Sequence, residues 1–74
     1  MAPVVQSVLL RKDKFSLDEA KGWLLNHGYK FYKVDMTPEF YRFRQVEPKH
    51  LELLGYRART QPLGDVGHLI LFYP

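Results

Sequence analysis

The sequence predicts an α+β domain: a small, mostly antiparallel sheet of about five strands with one main helix packed on one face, in the order β-α-β-β-(short α)-β-β. Three observations lead there. The stretch from Ser16 to Gly28, SLDEAKGWLLNHG, has helix start and stop signals at its two ends. Around it lie short segments rich in β-branched and aromatic residues that alternate in polarity, the pattern of half-buried strands. Turn residues punctuate those segments, with no room for long crossovers between most of them.

Residues 4 to 10, VVQSVLL, are apolar and β-branched and predict the first strand,. Arg11-Lys12-Asp13-Lys14 is a charged turn. Ser16 is then a good N-cap, since its hydroxyl accepts from a free N–H of the first helical turn. Glu19, three residues on, can reach back to the Ser16 N–H and complete a capping box. Asp18 and Glu19 put negative charge where the helix dipole favours it. Leu17, Ala20, Leu24 and His27 recur at helical spacing, with Trp23 beside them,. This stripe predicts a core helix, the alternative being a partner-binding helix with Trp23 as an exposed anchor. Gly28 supplies the stop, and Tyr29 is placed to pack back on Leu24.

Lys30 to Asp35, KFYKVD, predicts a second strand with Tyr32 and Val34 on one face and Phe31 and Lys33 on the other. Met36-Thr37-Pro38 makes a turn. Glu39 to Val46, EFYRFRQV, predicts a third strand and a hairpin with the second,. Pro48 to Leu54 predicts two helical turns ended by Gly55. Tyr56 to Gln61 alternates again, with Arg57 and Arg59 on one face. Pro62-Leu63-Gly64-Asp65 is a turn by composition. His68 to Tyr73, HLILFY, is nearly continuously apolar and predicts an interior strand,.

A chain of 74 residues makes one domain, 1–74,. Without cysteine it cannot be stapled by disulfides or thiolate–metal clusters,. Its stability must come from packing, for which 11 aromatics supply large buried areas,, or from oligomerisation. The net charge of +3, from 11 Lys and Arg against 8 Asp and Glu, permits an anionic partner without demanding one. The longest apolar run, LILFY, is far too short for a membrane span, and the N-terminal residues lack the pattern of a secretory leader. The expected setting is intracellular, with no membrane partner.

One feature stands above background. Arg42 and Arg44 alternate on the third strand, and Arg57 and Arg59 on the fourth. If Tyr41, Phe43, Tyr56 and Ala58 face the helix, all four guanidinium groups share the opposite face, with Lys33, Phe31 and Phe40 among them. Arginine interleaved with aromatics on an open sheet suits single-stranded nucleic acid: bases stack on rings and phosphates take the charge. The candidate nucleic-acid-binding residues are therefore Phe31, Lys33, Phe40, Arg42, Arg44, Arg57 and Arg59. Against this, strand arginines often only solvate a face, and Asp35, Glu39, Glu47 and Glu52 are close enough in sequence to neutralise them.

The three histidines, His27, His50 and His68, lack metal-site spacing. Ser7 and Ser16 lack a convincing base, and the glycines lack phosphate-loop spacing. No catalytic, metal or cofactor residue is expected, and the chain reads as a binding module rather than an enzyme. The runner-up function is protein–protein interaction, as a virion or capsid component or an inhibitor of a host protein, with the apolar C-terminal strand adding to a partner's sheet edge. A homo-oligomer fits that reading.

Three blocks taken together, SVLLRKDKFSLDEAKGWLLNHGYK, KVDMTPEFYRFRQ and YRARTQPLGDVGHLIL, resemble a small uncharacterised α+β domain encoded by tailed phages and large DNA viruses. That domain has a similar KDKxSLxEAKxWLxxHGYK helix block, KVDxT turn, YRFRQ strand and closing LG-x-G strand. The resemblance covers roughly residues 7 to 73 and implies no specific activity. It implies a viral accessory or virion-associated setting, in the host cytoplasm or the virion. The family tends to be lysine-rich before LG, whereas this chain has Thr60-Gln61-Pro62 there.

Overall fold

The computed structural model describes residues 3–74; Met1 and Ala2, part of the N-terminal stretch read for a secretory leader pattern, lie outside the described residues. Five strands and two helices follow one another as β1 (Val4–Arg11), α1 (Leu17–Asn26), β2 (Val34–Met36), β3 (Phe40–Arg44), α2 (Pro48–Leu53), β4 (Arg57–Pro62) and β5 (Gly67–Tyr73). They form one sheet in the order β2-β3-β1-β5-β4, and every neighbouring pair is antiparallel. β1 and β2 therefore run parallel with β3 between them, a split β-α-β unit joined by α1. This is the α+β architecture expected from the sequence, with the expected element order.

Helix α1 forms for local reasons. Ser16 Oγ accepts from the Glu19 N–H at 3.2 Å, and Glu19 Oε1 accepts from the Ser16 N–H at 2.9 Å, closing the capping box,. At the other end Gly28 takes a φ of +77°. The Tyr29 N–H then donates to the Leu24 carbonyl at 2.9 Å, and the Gly28 N–H to the Leu25 carbonyl at 3.3 Å, as in a Schellman motif,. The bond from Ser16 holds the Glu19 carboxyl below its ordinary value of 4.5. A depressed folded pKa means that the stabilisation is present above the unfolded value and fades as pH falls through the folded one. Two outcomes are expected. Ser16→Ala should lose about 1 kcal/mol in denaturant unfolding. Glu19→Gln, which keeps the acceptor, should show less loss of stability than the parent below about pH 4.5.

The core lies between α1 and one face of the sheet. Ala20 and Leu24 of α1 meet Val8 and Leu10 of β1, Phe43 of β3, and Leu69 and Leu71 of β5. The pairing Val8↔Phe43, Val8↔Leu69 and Val5↔Leu71 puts these on one side, since directly paired residues share a face,. Tyr41 lies on the same side and donates from its hydroxyl to the Phe15 carbonyl at 3.1 Å, tying β3 to the approach to α1. Trp23 is half-buried against this core and stacks on His27, with ring centres 3.8 Å apart, and beside Tyr29. It is a packed residue rather than a free anchor.

One departure from expectation has a physical cause. β2 begins at Val34 rather than Lys30, because the preceding segment is tied to β3 by a side chain. Gln45 Oε1 accepts from the Lys30 N–H, and Gln45 Nε2 donates to the Lys30 carbonyl, both at 2.8 Å. A side-chain amide here does the work of a ladder and releases the chain from alternation. Phe31 and Val34, three residues apart, both pack against the core, while Tyr32 turns out and is 67% exposed. Helix α2 follows expectation, with two turns from Pro48 to Leu53, Leu54 as C-cap and Gly55 at φ +79° just past its end. Only Leu51 of this helix is buried; Leu53 and Leu54 are exposed.

Candidate nucleic-acid interface

Strand register decides where each candidate residue goes. Arg42 pairs with Leu9 and Arg44 with Ser7, so both face away from α1. Phe40 pairs with Arg11 and shares that outer face. Arg57 pairs with Tyr73 and Arg59 with Leu71, so those two arginines lie on the α1 side. The expected single face of four arginines is thus divided in two. Tyr41 and Phe43 do face the helix, but Ala58 pairs with Phe72 on the other side. All of β4 is exposed, so neither of its faces is chosen by burial, and its alternation alone does not say which way it points. Phe31 is likewise on the core side, for the reason given above.

The outer face is organised by an irregularity in β1. Its register with β5 shifts between Val5 and Ser7, a bulge at Gln6. Gln6 and Ser7 are both fully buried, and every polar atom they bury is bonded. Gln6 Nε2 donates to the Val46 carbonyl at 2.9 Å, and Ser7 Oγ donates to Gln6 Oε1 at 2.6 Å. Arg42 closes the network, donating from Nε to Ser7 Oγ at 3.2 Å and from Nη2 to Gln6 Oε1 at 3.3 Å. Its partners are neutral, so its charge is positioned without being cancelled. Ser7 is spent in this network and is not poised as a nucleophile. Further along the same face, Phe40 meets His68 edge-on, with ring centres 5.0 Å apart.

Arg44 is treated differently. Its Nη2 lies 2.6 Å from Asp35 Oδ2 and its Nη1 3.5 Å from Glu47 Oε1. The Asp35 hydrogen bond, then the Asp35 charge, then Glu47 raise its pKa above the ordinary guanidinium value. Glu47 also reaches Lys33, at 3.8 Å. Two of the four carboxylates named from sequence therefore take up neutralisation; Glu39 and Glu52 form no ion pair among the described residues.

These groups line an open cleft of about 380 Å³ bounded by Lys30, Tyr32, Lys33, Arg44, Gln45, Val46 and Glu47. Counting Arg42 next to it, four cations (Lys30, Lys33, Arg42, Arg44) face two carboxylates (Asp35, Glu47), which leaves two positive charges. Tyr32 contributes an exposed ring. Strand alternation over Lys30 to Asp35 sets Lys30 and Tyr32 on the Val34 face, away from Lys33, so neither is expected here; the signal available is Gln45, an amide just past β3 able to replace backbone pairing.

Lys33, Phe40, Arg42 and Arg44 are brought to one side of the molecule, whereas Phe31, Arg57 and Arg59 are not. No group of three or more metal-binding side chains occurs among the described residues, and no described helix is long and apolar enough to cross a membrane. β5, expected to add to a partner's sheet, is paired on both sides; the free edges belong to β2 and β4. Comparison of the chain with family models, curated proteins and solved structures gave no match.

Proposed function

We propose that the chain is a non-enzymatic viral accessory module that binds single-stranded nucleic acid. Lys30, Lys33, Arg42 and Arg44 contact phosphates, and Tyr32 stacks on a base, with Phe40 and His68 extending the surface along the outer face. The observation that carries this is the cleft's uncancelled charge beside an exposed ring. Phosphates are attracted by the excess of two positive charges, and a base finds a π-surface next to them. The viral setting, host cytoplasm or virion, follows from the resemblance of the three sequence blocks.

The test is fluorescence anisotropy with single-stranded and duplex oligonucleotides at several salt concentrations. Nonspecific contacts of this kind give dissociation constants on the order of 10⁻⁴ to 10⁻⁶ M, and each phosphate contact on a single strand contributes about −0.7 to the slope of log K against log salt. Two to four contacts then give a slope of roughly −1.5 to −3. The double variant Lys30→Glu/Lys33→Glu should bind at least about tenfold more weakly with a shallower slope, since it turns the site's net charge negative. Tyr32→Ala should weaken binding by about fivefold or more without changing the slope, because stacking is worth about 1–3 kcal/mol and releases no counterions. Absence of binding at low salt would sink the proposal.

A further inference from the structure

Strand β4 is a sheet edge of six residues, exposed along its whole length. The opposite edge, β2, has only three. An exposed edge offers a row of unpaired backbone groups to another chain. Two features of β4 define what that chain must be.

On the α1 side it presents Arg57 and Arg59, and neither has a carboxylate within ion-pair distance among the described residues. Arg59 is held over the Tyr73 ring, 5.8 Å from its centre. Both arginines border an open hollow of about 510 Å³ with Gly55, Tyr73 and Pro74. On the other side β4 presents Ala58 and Thr60, which pair with Phe72 and Ile70. These are small and leave room for bulky neighbours. Exposed Leu53 and Leu54, 79% and 59% accessible, lie just before the strand.

A second copy of the chain fits this edge poorly. Two-fold pairing of β4 with itself is antiparallel and keeps like faces together. Registers centred on Ala58 or Arg59 set Arg57 opposite Arg59, or Arg59 opposite itself; the one centred on Thr60 sets Arg59 opposite Gln61 and brings no carboxylate to either arginine. Like charges directly opposed are destabilising. A strand with carboxylates at those positions turns the same geometry into attraction.

We propose that β4 accepts an acidic extended segment of a partner protein as a sixth strand. The partner carries Asp or Glu at alternate positions opposite Arg57 and Arg59, and bulky apolar residues between them over Ala58 and Thr60. This surface is separate from the basic cleft and does not depend on the nucleic-acid reading.

The test uses three labelled probes with the intact protein: an alternating Glu-Val peptide, the matching Lys-Val peptide, and a single-stranded oligonucleotide. The Glu-Val peptide should bind at least about tenfold more tightly than the Lys-Val peptide and slow amide exchange at residues 57–61. Arg57→Glu/Arg59→Glu should reverse that preference, a gain that a merely misfolded variant would not show. Equal binding of both peptides overturns the proposal. So does binding without new protection in β4, or no peptide binding at millimolar concentration. Protection of β4 by the oligonucleotide alone, or a protein dimer that the double substitution dissolves, also overturns it.

Discussion

Gly67→Ala is expected to destabilise the fold by about 3 kcal/mol or more. Gly67 opens β5 and pairs with Leu10 of the central strand. A Cβ at this position would collide with the Leu9 carbonyl oxygen and lie 3.0 Å from the Leu9 carbonyl carbon and 3.1 Å from Leu10 Cα. All three are backbone atoms of β1, so no side chain can swing aside, and relief requires β1 and β5 to separate. The same residue closes the β4–β5 turn by accepting from the Leu63 N–H at 3.0 Å. Gly64→Ala is the control. Gly64 has a φ of +65° but open space around a new Cβ, so only backbone strain of about 1–2 kcal/mol is expected. Urea unfolding of the two variants should show a much lower midpoint for Gly67→Ala than for Gly64→Ala.

Phe43→Ala should be of similar or greater severity. Phe43 is the largest side chain among the fully buried residues. It is flanked by Val8 and Val34 on the neighbouring strands and belongs to the cluster that α1 covers. Replacing a buried phenylalanine by alanine costs about 3–5 kcal/mol. For 74 residues, total stability at roughly 0.05–0.15 kcal/mol per residue is about 4–11 kcal/mol. The loss is thus a large share of the whole, and the variant should be partly or fully unfolded at 37 °C by circular dichroism. Phe43→Leu, which keeps most of the volume, should retain a cooperative transition.

Features governed by neighbours in sequence were legible. The capping box at Ser16 and Glu19, the Gly28 stop, the Thr37 turn and the apolar run of β5 each depend on residues within a few positions of one another. Thr37 illustrates this, since its hydroxyl accepts from the Phe40 N–H at 2.9 Å and holds the β2–β3 turn. Features governed by pairing were not legible. A strand's alternation separates its residues into two sets but does not say which set faces the core; register decides that. In β3 burial of Phe43 makes the choice visible. In β4 no residue is buried, so Arg57 and Arg59 could be grouped with Arg42 and Arg44 by type but not by place. The bulge at Gln6 was hidden for the same reason, because it exists only in the register between β1 and β5.

The candidate site follows the same division. The carboxylates able to neutralise arginine were identified from sequence, and Asp35 and Glu47 do so for Arg44. That Arg42 would instead be held by buried Gln6 and Ser7 required the three-dimensional register of β1 against β3. Such holding fixes the guanidinium direction while leaving its charge available, which is what a phosphate contact needs.

The most direct test of nucleic-acid binding is a map of backbone amide shifts during titration with a short single-stranded oligonucleotide. Binding through the basic cleft predicts that the largest changes fall at residues 30–33 and 42–47, with Phe40 and His68 next, and that they vanish at high salt. Changes concentrated at Arg57 and Arg59, or on α1 around Trp23, with the cleft silent, would contradict it.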